Sequence, residues 1–282
     1  MIYLNGEWMP IEEAKIPVLD RGFIFGDGIY EMIPVYQRKP FYAQGHLARM
    51  QRSLDAIRIT NPYSEARWNE LIAEMIRRQS FDNQAVYFQI TRGVAKRDHA
   101  FPNDAKPTVF MMSNPLATPS DESYANGVAC ITAVDNRWLR CDIKSTSLLG
   151  NVLMRQLAAD HDAIETVMFR DGHLTEASAS NVLVVKNGVI CSPQKDNLML
   201  GGITLDATID LARANGMPLE MRPITEAEVR DADELWLSSA TKEVLAITRH
   251  DAKPVGHGAG AGKPGPLFMK MRAAYQAAKA AL

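Results

Sequence analysis

Cysteine is scarce in this 282-residue chain: Cys130, Cys141 and Cys191 are the only three. They are widely spaced, odd in number and form no Cys-x-x-Cys pair. That pattern argues against a disulfide framework or a structural zinc site and points to a reduced, cytoplasmic setting. No apolar run reaches the roughly 20 residues of a transmembrane helix. Met1–Glu7 lacks a basic start and an apolar secretory core, and reads instead as a short strand followed by an Asn5-Gly6 turn. An excess of one charge is missing too. A net charge of −2 gives no reason to expect nucleic acid or an anionic membrane as partner. No internal repeat or long low-complexity tract interrupts the chain. What remains is an ordinary globular composition, 46% hydrophobic and 23% charged, long enough for a large core in one domain or two.

The first hundred residues mix strands and helices. Ile29–Tyr36 and Gln84–Arg92 are rich in β-formers. Leu47, Met50, Leu54 and Ile57 follow helical spacing, as do Trp68, Leu71, Ile72, Met75 and Ile76. Pro107–Ser113 reads as a closing strand. Asn114–Asn126, rich in Pro, Ser, Ala and Asp, is the best linker. Beyond it, Gly127–Asp135 reads as a strand and Leu148–Asp162 as a helix. Asp171-Gly172 and Asn187-Gly188 mark tight turns, and Gly216 ends a helix over Thr204–Asn215. Thr225–Glu228 fits a capping box, and Pro266–Leu282 a terminal amphipathic helix after the glycine-rich loop Gly256–Gly265. The expected architecture is α+β: a small domain over residues 1–116, a linker over 117–126 and a larger domain over 127–282, with a cleft between the domains.

Chemistry concentrates in five places. Lys144 is one of twelve lysines, most of which should be solvated. It stands apart because it lies between an apolar strand and an apolar helix, with Trp138, Leu139 and Ile143 nearby to dry its surroundings. Desolvation lowers an amine's pKa and so favours a neutral nucleophile. Thirty-two residues on, Glu176 follows the Asp171-Gly172 turn and precedes Ala177-Ser178-Ala179-Ser180-Asn181. By itself it is a hairpin glutamate facing water; beside small residues it is also a carboxylate that a bound ring could approach. Gly201-Gly202-Ile203-Thr204 opens a helix whose free amides and positive dipole end attract phosphate. Ser238-Ser239-Ala240-Thr241 is a further small-residue loop, and Arg49 is a candidate counter-charge. A lysine, a carboxylate and small-residue loops are what a pyridoxal phosphate site needs.

These segments carry a resemblance. With Asp20–Glu31, Trp138–Lys144, Leu174–Asn181, Gly202–Thr204 and Ser239–Glu243, the chain resembles the class IV, pyridoxal-phosphate-dependent aminotransferases of fold type IV from Met1 nearly to its end. The resemblance implies pyridoxal 5'-phosphate in the cleft between two α/β domains and a ping-pong transfer of an amino group. It implies that Lys144 is the Schiff-base lysine and Glu176 the partner of the pyridine nitrogen. Arg49, Ser180, Ile203, Thr204, Ser239 and Ala240 would hold the phosphate, Ile203 and Ala240 through backbone amides. Asn181 lies in the cofactor loop, and Leu200 would pack on the ring. Ala240 stands where members similar to this chain often carry a hydroxyl.

Three kinds of member are easily confused: D-amino-acid transaminases, branched-chain transaminases and aminodeoxychorismate lyases. Arg97-Asp98-His99 resembles the α-carboxylate trap of the D-amino-acid enzymes, which works with the tyrosine matched by Tyr30 and reaches the partner subunit's site in a homodimer. Arg97 can pair bidentately with a carboxylate, and His99 and Tyr30 add donors. On its own, Arg97-x-His99 reads as an exposed polar loop. Branched-chain enzymes usually read Phe-Glu-Gly where this chain has Tyr30-Glu31-Met32, and several D-specific relatives carry lysine at the place of Pro34. The implied activity is transfer from a D-amino acid such as D-alanine to a 2-oxo acid such as 2-oxoglutarate. A catalytically silent homologue that binds a metabolite or a partner protein is the alternative from another class.

Overall fold

The computed structural model describes all 282 residues, and the chain divides into two compact units. The first comprises Met1–Leu116 together with Ile143–Leu148; the second comprises Ala117–Asp142 and Leu149–Leu282.

The first unit is built on a six-stranded antiparallel sheet of order β2-β1-β6-β5-β3-β4. Its strands are β1 (Ile2–Leu4), β2 (Glu7–Met9), β3 (Gly28–Tyr36), β4 (Lys39–Pro40), β5 (Gln84–Thr91) and β6 (Thr108–Pro115). The β1–β2 hairpin turns at Asn5-Gly6, where both residues have positive φ, as the Asn-Gly pair requires. Helices α1 (Arg21–Phe25), α2 (Ala43–Ala56) and α3 (Glu65–Arg77) complete the unit. The apolar stripes of α2 and α3 (Leu47, Met50, Leu54; Trp68, Leu71, Ile72, Met75) pack with Ile29, Ile33, Val86, Phe88 and Ile90 of the central strands. Ser64 caps α3 by accepting from the Arg67 amide.

The second unit carries a nine-stranded mixed sheet of order β12-β11-β10-β13-β14-β7-β8-β9, with β15 paired to β14. The strands are β7 (Val128–Val134), β8 (Glu165–Arg170), β9 (His173–Ala177), β10 (Asn181–Lys186), β11 (Val189–Ser192), β12 (Leu219–Met221), β13 (Glu234–Ser239), β14 (Glu243–His250) and β15 (Lys253–Pro254). Its helices are α4 (Asp121–Asn126), α5 (Leu149–Ala159), α6 (Ile203–Ala214), α7 (Glu226–Arg230) and α8 (Pro266–Ala280). The β8–β9 and β10–β11 turns use Asp171-Gly172 and Asn187-Gly188, all with positive φ. Thr225 and Glu228 form the expected capping box, and Gly216 follows α6 in the left-handed region.

Two boundaries differ from the sequence expectation. Asp121–Asn126, read as linker, is helix α4, because Ser120 caps it by accepting from the Ser123 amide and Tyr124 buries against the second unit's core. Residues 143–148, expected within the larger domain, belong to the first unit. Ile143 joins that unit's apolar core, Ser145 forms a bridge with Ile29, and the Tyr30 amide donates to the Lys144 carbonyl at 3.0 Å.

Candidate active site

In the first unit, Lys144 is held from both sides of its backbone. Its carbonyl accepts from Tyr30 on β3, and its amide donates to Ser53 Oγ on α2 at 3.2 Å. Its side chain is half-buried, with Nζ 4.2 Å from the centroid of the Tyr30 ring, a cation–π distance. Tyr30 in turn stacks on Tyr87 with ring centroids 5.7 Å apart. Sequence reasoning paired Lys144 with Trp138 and Leu139 as drying neighbours, but those are 49% and 60% exposed; Ile143 alone of the three is buried. The strand bridge at Ser145 turns Ile143 inward, whereas Trp138 and Leu139 lie on an irregular stretch of the second unit.

Arg49 is no solvated helix arginine. It is buried and grips Glu31 with two parallel bonds, Nε to Oε1 at 2.7 Å and Nη2 to Oε2 at 2.8 Å. His46, one turn earlier on α2, places Nδ1 2.8 Å from the same Oε2. Burial pushes the Glu31 carboxyl upward, but the Arg49 charge and both sets of hydrogen bonds outweigh it and hold Glu31 well below the usual carboxylate range. Burial lowers His46, so the imidazole is neutral near pH 7; facing a carboxylate, its Nδ1 carries the hydrogen. Sequence reasoning missed Glu31 as a partner, although a signal was present. Ile29, Glu31, Ile33 and Val35 alternate along β3 and are all fully buried.

Arg97 and His99 lie on the exposed segment between β5 and β6. Both approach the Phe25 ring, the guanidinium carbon at 5.3 Å and the imidazole at 5.5 Å between centroids. The segment is anchored between them: Arg21 Nη1 donates to the Asp98 carbonyl at 2.6 Å. Asp27 holds Arg21 at 2.8 Å and Arg92 at 2.7 Å. The two arginines overcome the burial of Asp27 and keep its carboxyl below its ordinary value. At the base of the loop, Gly93 has φ +91°, and a Cβ there would collide with the Lys106 carbonyl oxygen, so only glycine fits. The loop is thus positioned by Asp20–Glu31, and Phe25 brings Arg97 and His99 to one place.

In the second unit, Glu176 is buried on β9 and does not face water. Its Oε1 accepts from Arg137 Nη1 at 2.6 Å; its Oε2 accepts from the Leu200 amide at 3.2 Å and from Asn181 Nδ2 at 3.4 Å. Asn181 Nδ2 also donates to the Leu200 carbonyl at 2.8 Å. Burial dominates these contacts and pushes the Glu176 carboxyl up to about 7. Arg137, which sequence reasoning passed over, is the nearest cation to it.

The small-residue loops divide in their readiness for an anion. Gly202 caps α6 without a side-chain bond, and a Cβ there would strike Asn181 Oδ1, so the backbone turns tightly at the helix start. The Ile203 and Thr204 amides lie in the first turn, where no i−4 carbonyl is available. Ser239 Oγ accepts from the Lys242 amide at 3.3 Å, and Ala240 is half-buried beside it. Glu243 closes this turn with φ +56°, tied to Tyr124 and Gln276 at 2.9 Å each. The Ser180 side chain is engaged within its own unit. Its hydroxyl donates to Glu165 Oε1 at 2.6 Å, and Ser178 Oγ donates to Oε2 of the same buried carboxylate. A hydroxyl has one proton, so Ser180 has none left for a phosphate in this rotamer.

Residues 28–250 match the family described as amino-transferase class IV. The chain is also 38% identical over 275 residues to the D-alanine aminotransferase of Bacillus licheniformis, covering 98% of this chain and 95% of that protein. The chain belongs to the class IV aminotransferases. The D-alanine aminotransferase of Listeria monocytogenes is 37% identical over 272 residues, covering 96% of this chain and 93% of the relative. Among solved structures, the class IV fold is seen in the Escherichia coli branched-chain amino acid aminotransferase, with TM-score 0.91, 23% identity and coverage of 98% and 93%. It is seen again in the T.th. branched-chain amino acid aminotransferase with pyridoxamine 5'-phosphate, with TM-score 0.90, 24% identity and coverage of 99% and 93%. At those identities the likeness establishes the fold of this class IV aminotransferase: α+β, fold type IV.

Proposed function

We propose that this class IV aminotransferase is a pyridoxal 5'-phosphate-dependent D-amino-acid transaminase, taking D-alanine as donor and 2-oxoglutarate as acceptor and yielding pyruvate and D-glutamate. The observation that carries the reading is the pairing of Arg97 and His99 on the Phe25 ring, their loop held by Arg21 through the Asp98 carbonyl. The relatives named D-alanine aminotransferase support it across nearly the whole chain.

The donor set suits the cofactor. An amine stands at Lys144, a buried carboxylate at Glu176, and an uncapped helix start at Ile203–Thr204. When bound, pyridoxal phosphate supplies an aldehyde carbon and an electron-withdrawing ring that stabilises negative charge at the substrate Cα. Lys144 Nζ would hold the cofactor and would serve as the acid–base group that removes the substrate Cα proton; a positioned group of this kind contributes roughly 10²–10⁴-fold. The Tyr30 ring beside Nζ limits the directions from which it acts. Glu176, as an anion, keeps the ring nitrogen protonated. The amides of Ile203, Thr204 and Ala240 and the hydroxyls of Thr204 and Ser239 would bind the phosphate, with Arg49 supplying charge and Leu200 packing on the ring. Asn181 orients Glu176 and the Leu200 backbone together. Arg97, His99 and Tyr30 hold the substrate carboxylate. Holding it on one side of the proton carrier selects the D-enantiomer.

In this reading the enzyme is an obligate homodimer in which the Arg97 loop serves the second copy's site. Its cysteines are free and buried, which fits a cytoplasmic enzyme. The deciding experiment is a screen of both amino-acid enantiomers against 2-oxoglutarate. D-alanine should release pyruvate only when 2-oxoglutarate is present. L-leucine turnover above that of D-alanine would make it a branched-chain enzyme, and pyruvate release without an acceptor would overturn the transaminase reading.

A further inference from the structure

Behind Glu176 lies a closed set of charges. Arg137 is locked in place: its fork holds Asp135 through Nε–Oδ1 and Nη2–Oδ2 at 2.9 Å each, while Nη1 donates to Glu176 at 2.6 Å. Its side chain is only 4% exposed. Asp135 is also bound by Arg170 Nη2 at 3.2 Å and accepts from Thr175 Oγ1 at 2.9 Å. The charged members are thus Arg137 and Arg170 against Asp135 and Glu176. Cys141, the other titratable neighbour, is pushed up to about 11 by burial and stays neutral. The set is electrically neutral only when Glu176 is ionised; protonating Glu176 leaves a buried excess positive charge.

We propose that Arg137 is a positioning residue for Glu176, keeping that carboxylate anionic so that a proton shared with the cofactor's ring nitrogen stays on the nitrogen. The inference rests on the assignment of Glu176 to that nitrogen. The physics is a contest between two bases for one proton. Burial makes Glu176 the stronger base; the guanidinium makes it the weaker one, because an opposite charge within 4–6 Å shifts a carboxyl by about 1–3 units. Without Arg137 the proton passes to the carboxylate, the ring loses its positive charge, and its capacity to accept electrons from Cα falls. Arg137 needs no contact with cofactor or substrate for this.

The test is the ring-nitrogen resonance of the holoenzyme reconstituted with ¹⁵N-labelled pyridoxal phosphate, followed against pH. In the wild type the nitrogen should be protonated at neutral pH. Arg137→Gln should lower the fraction of protonated nitrogen at neutral pH, the proton now residing on Glu176, and Arg137→Lys should restore most of that fraction. Asp135→Asn removes the anion that competes for Arg137 and that raises the proton affinity of Glu176, so it should move the protonated fraction of the nitrogen the opposite way; this arm stands even if Arg137→Gln does not fold. A merely structural arginine would give no such pair of opposite shifts. Glu176→Gln separates the two assignments. If it alters the resonance while Arg137→Gln and Asp135→Asn leave it at the wild-type value, the role of Arg137 is overturned. If Glu176→Gln also leaves it unchanged, Glu176 does not serve the ring nitrogen.

Discussion

Glu31 and Arg49 form a doubly hydrogen-bonded ion pair in the interior of the first unit, with bonds of 2.7 and 2.8 Å and the glutamate wholly excluded from solvent. Removing one partner strands the other charge. Glu31→Gln should therefore cost about 3–5 kcal/mol, and the double variant Glu31→Gln with Arg49→Met should cost less than the first change alone. Because the folded state holds the Glu31 carboxyl below its ordinary 4.5, the stabilisation is present above that pH and is lost as pH falls through and below it. Urea denaturation across pH checks both statements: the wild-type advantage over Glu31→Gln should shrink on acidification.

Glu176 has the opposite sign. Its carboxyl is raised from 4.5 to about 7 by burial, so the folded, cofactor-free protein binds this proton more tightly than the unfolded chain does. The contribution to stability is full below 4.5 and is lost as pH rises through 7. Thermal melts of the cofactor-free wild type and Glu176→Gln should show a wild-type margin that narrows over that window. A margin that widens with pH would contradict the dominance of burial over the Arg137 contact.

Lys144→Ala should abolish transamination, by at least the roughly 10²–10⁴-fold attributed to a positioned acid–base group, while leaving the melting temperature nearly unchanged. The backbone bonds of Lys144 to Tyr30 and Ser53 do not need its side chain. Borohydride treatment followed by peptide mass spectrometry should find the cofactor mass on Lys144 in the wild type. An adduct elsewhere would remove this residue from its assigned role.

Arg97→Ala should raise the KM for D-alanine by about 10- to 100-fold, the loss of one hydrogen bond to a charged group, with a smaller effect on kcat. Arg21→Gln should show a weaker version of the same defect, since it frees the Asp98 carbonyl that anchors the loop. Steady-state kinetics with D-alanine and 2-oxoglutarate would reveal both effects. An unchanged KM in Arg97→Ala would leave the carboxylate without its assigned partner.

The local parts of the fold are written in short stretches of chain. Asn5-Gly6, Asp171-Gly172 and Asn187-Gly188 form turns because their neighbours and their own φ tolerance demand it. Thr225 and Glu228 form a capping box because three residues of spacing suffice. The stripes of α2 and α3 follow from periodicity alone. Composition misleads over the linker because Pro, Ser and Asp mark both loops and helix starts; Ser120 is the cap of α4.

What residue spacing and family resemblance determined was the fold class, and they singled out candidate positions for chemistry: Lys144, Glu176, the Gly202–Thr204 helix start and the Arg97–His99 pair. What only tertiary structure decided was the state of those groups. Arg49 proved to be paired with a glutamate 18 positions away, Ser180 to be committed to Glu165 15 positions away, and Glu176 to be matched with an arginine 39 positions away. Charges and hydroxyl protons are shared in space, at distances under 3 Å, by residues that the folded sheets and helices bring together. No periodicity along the chain encodes such a pairing, because its energy depends on burial and on which partner the fold holds within hydrogen-bond reach.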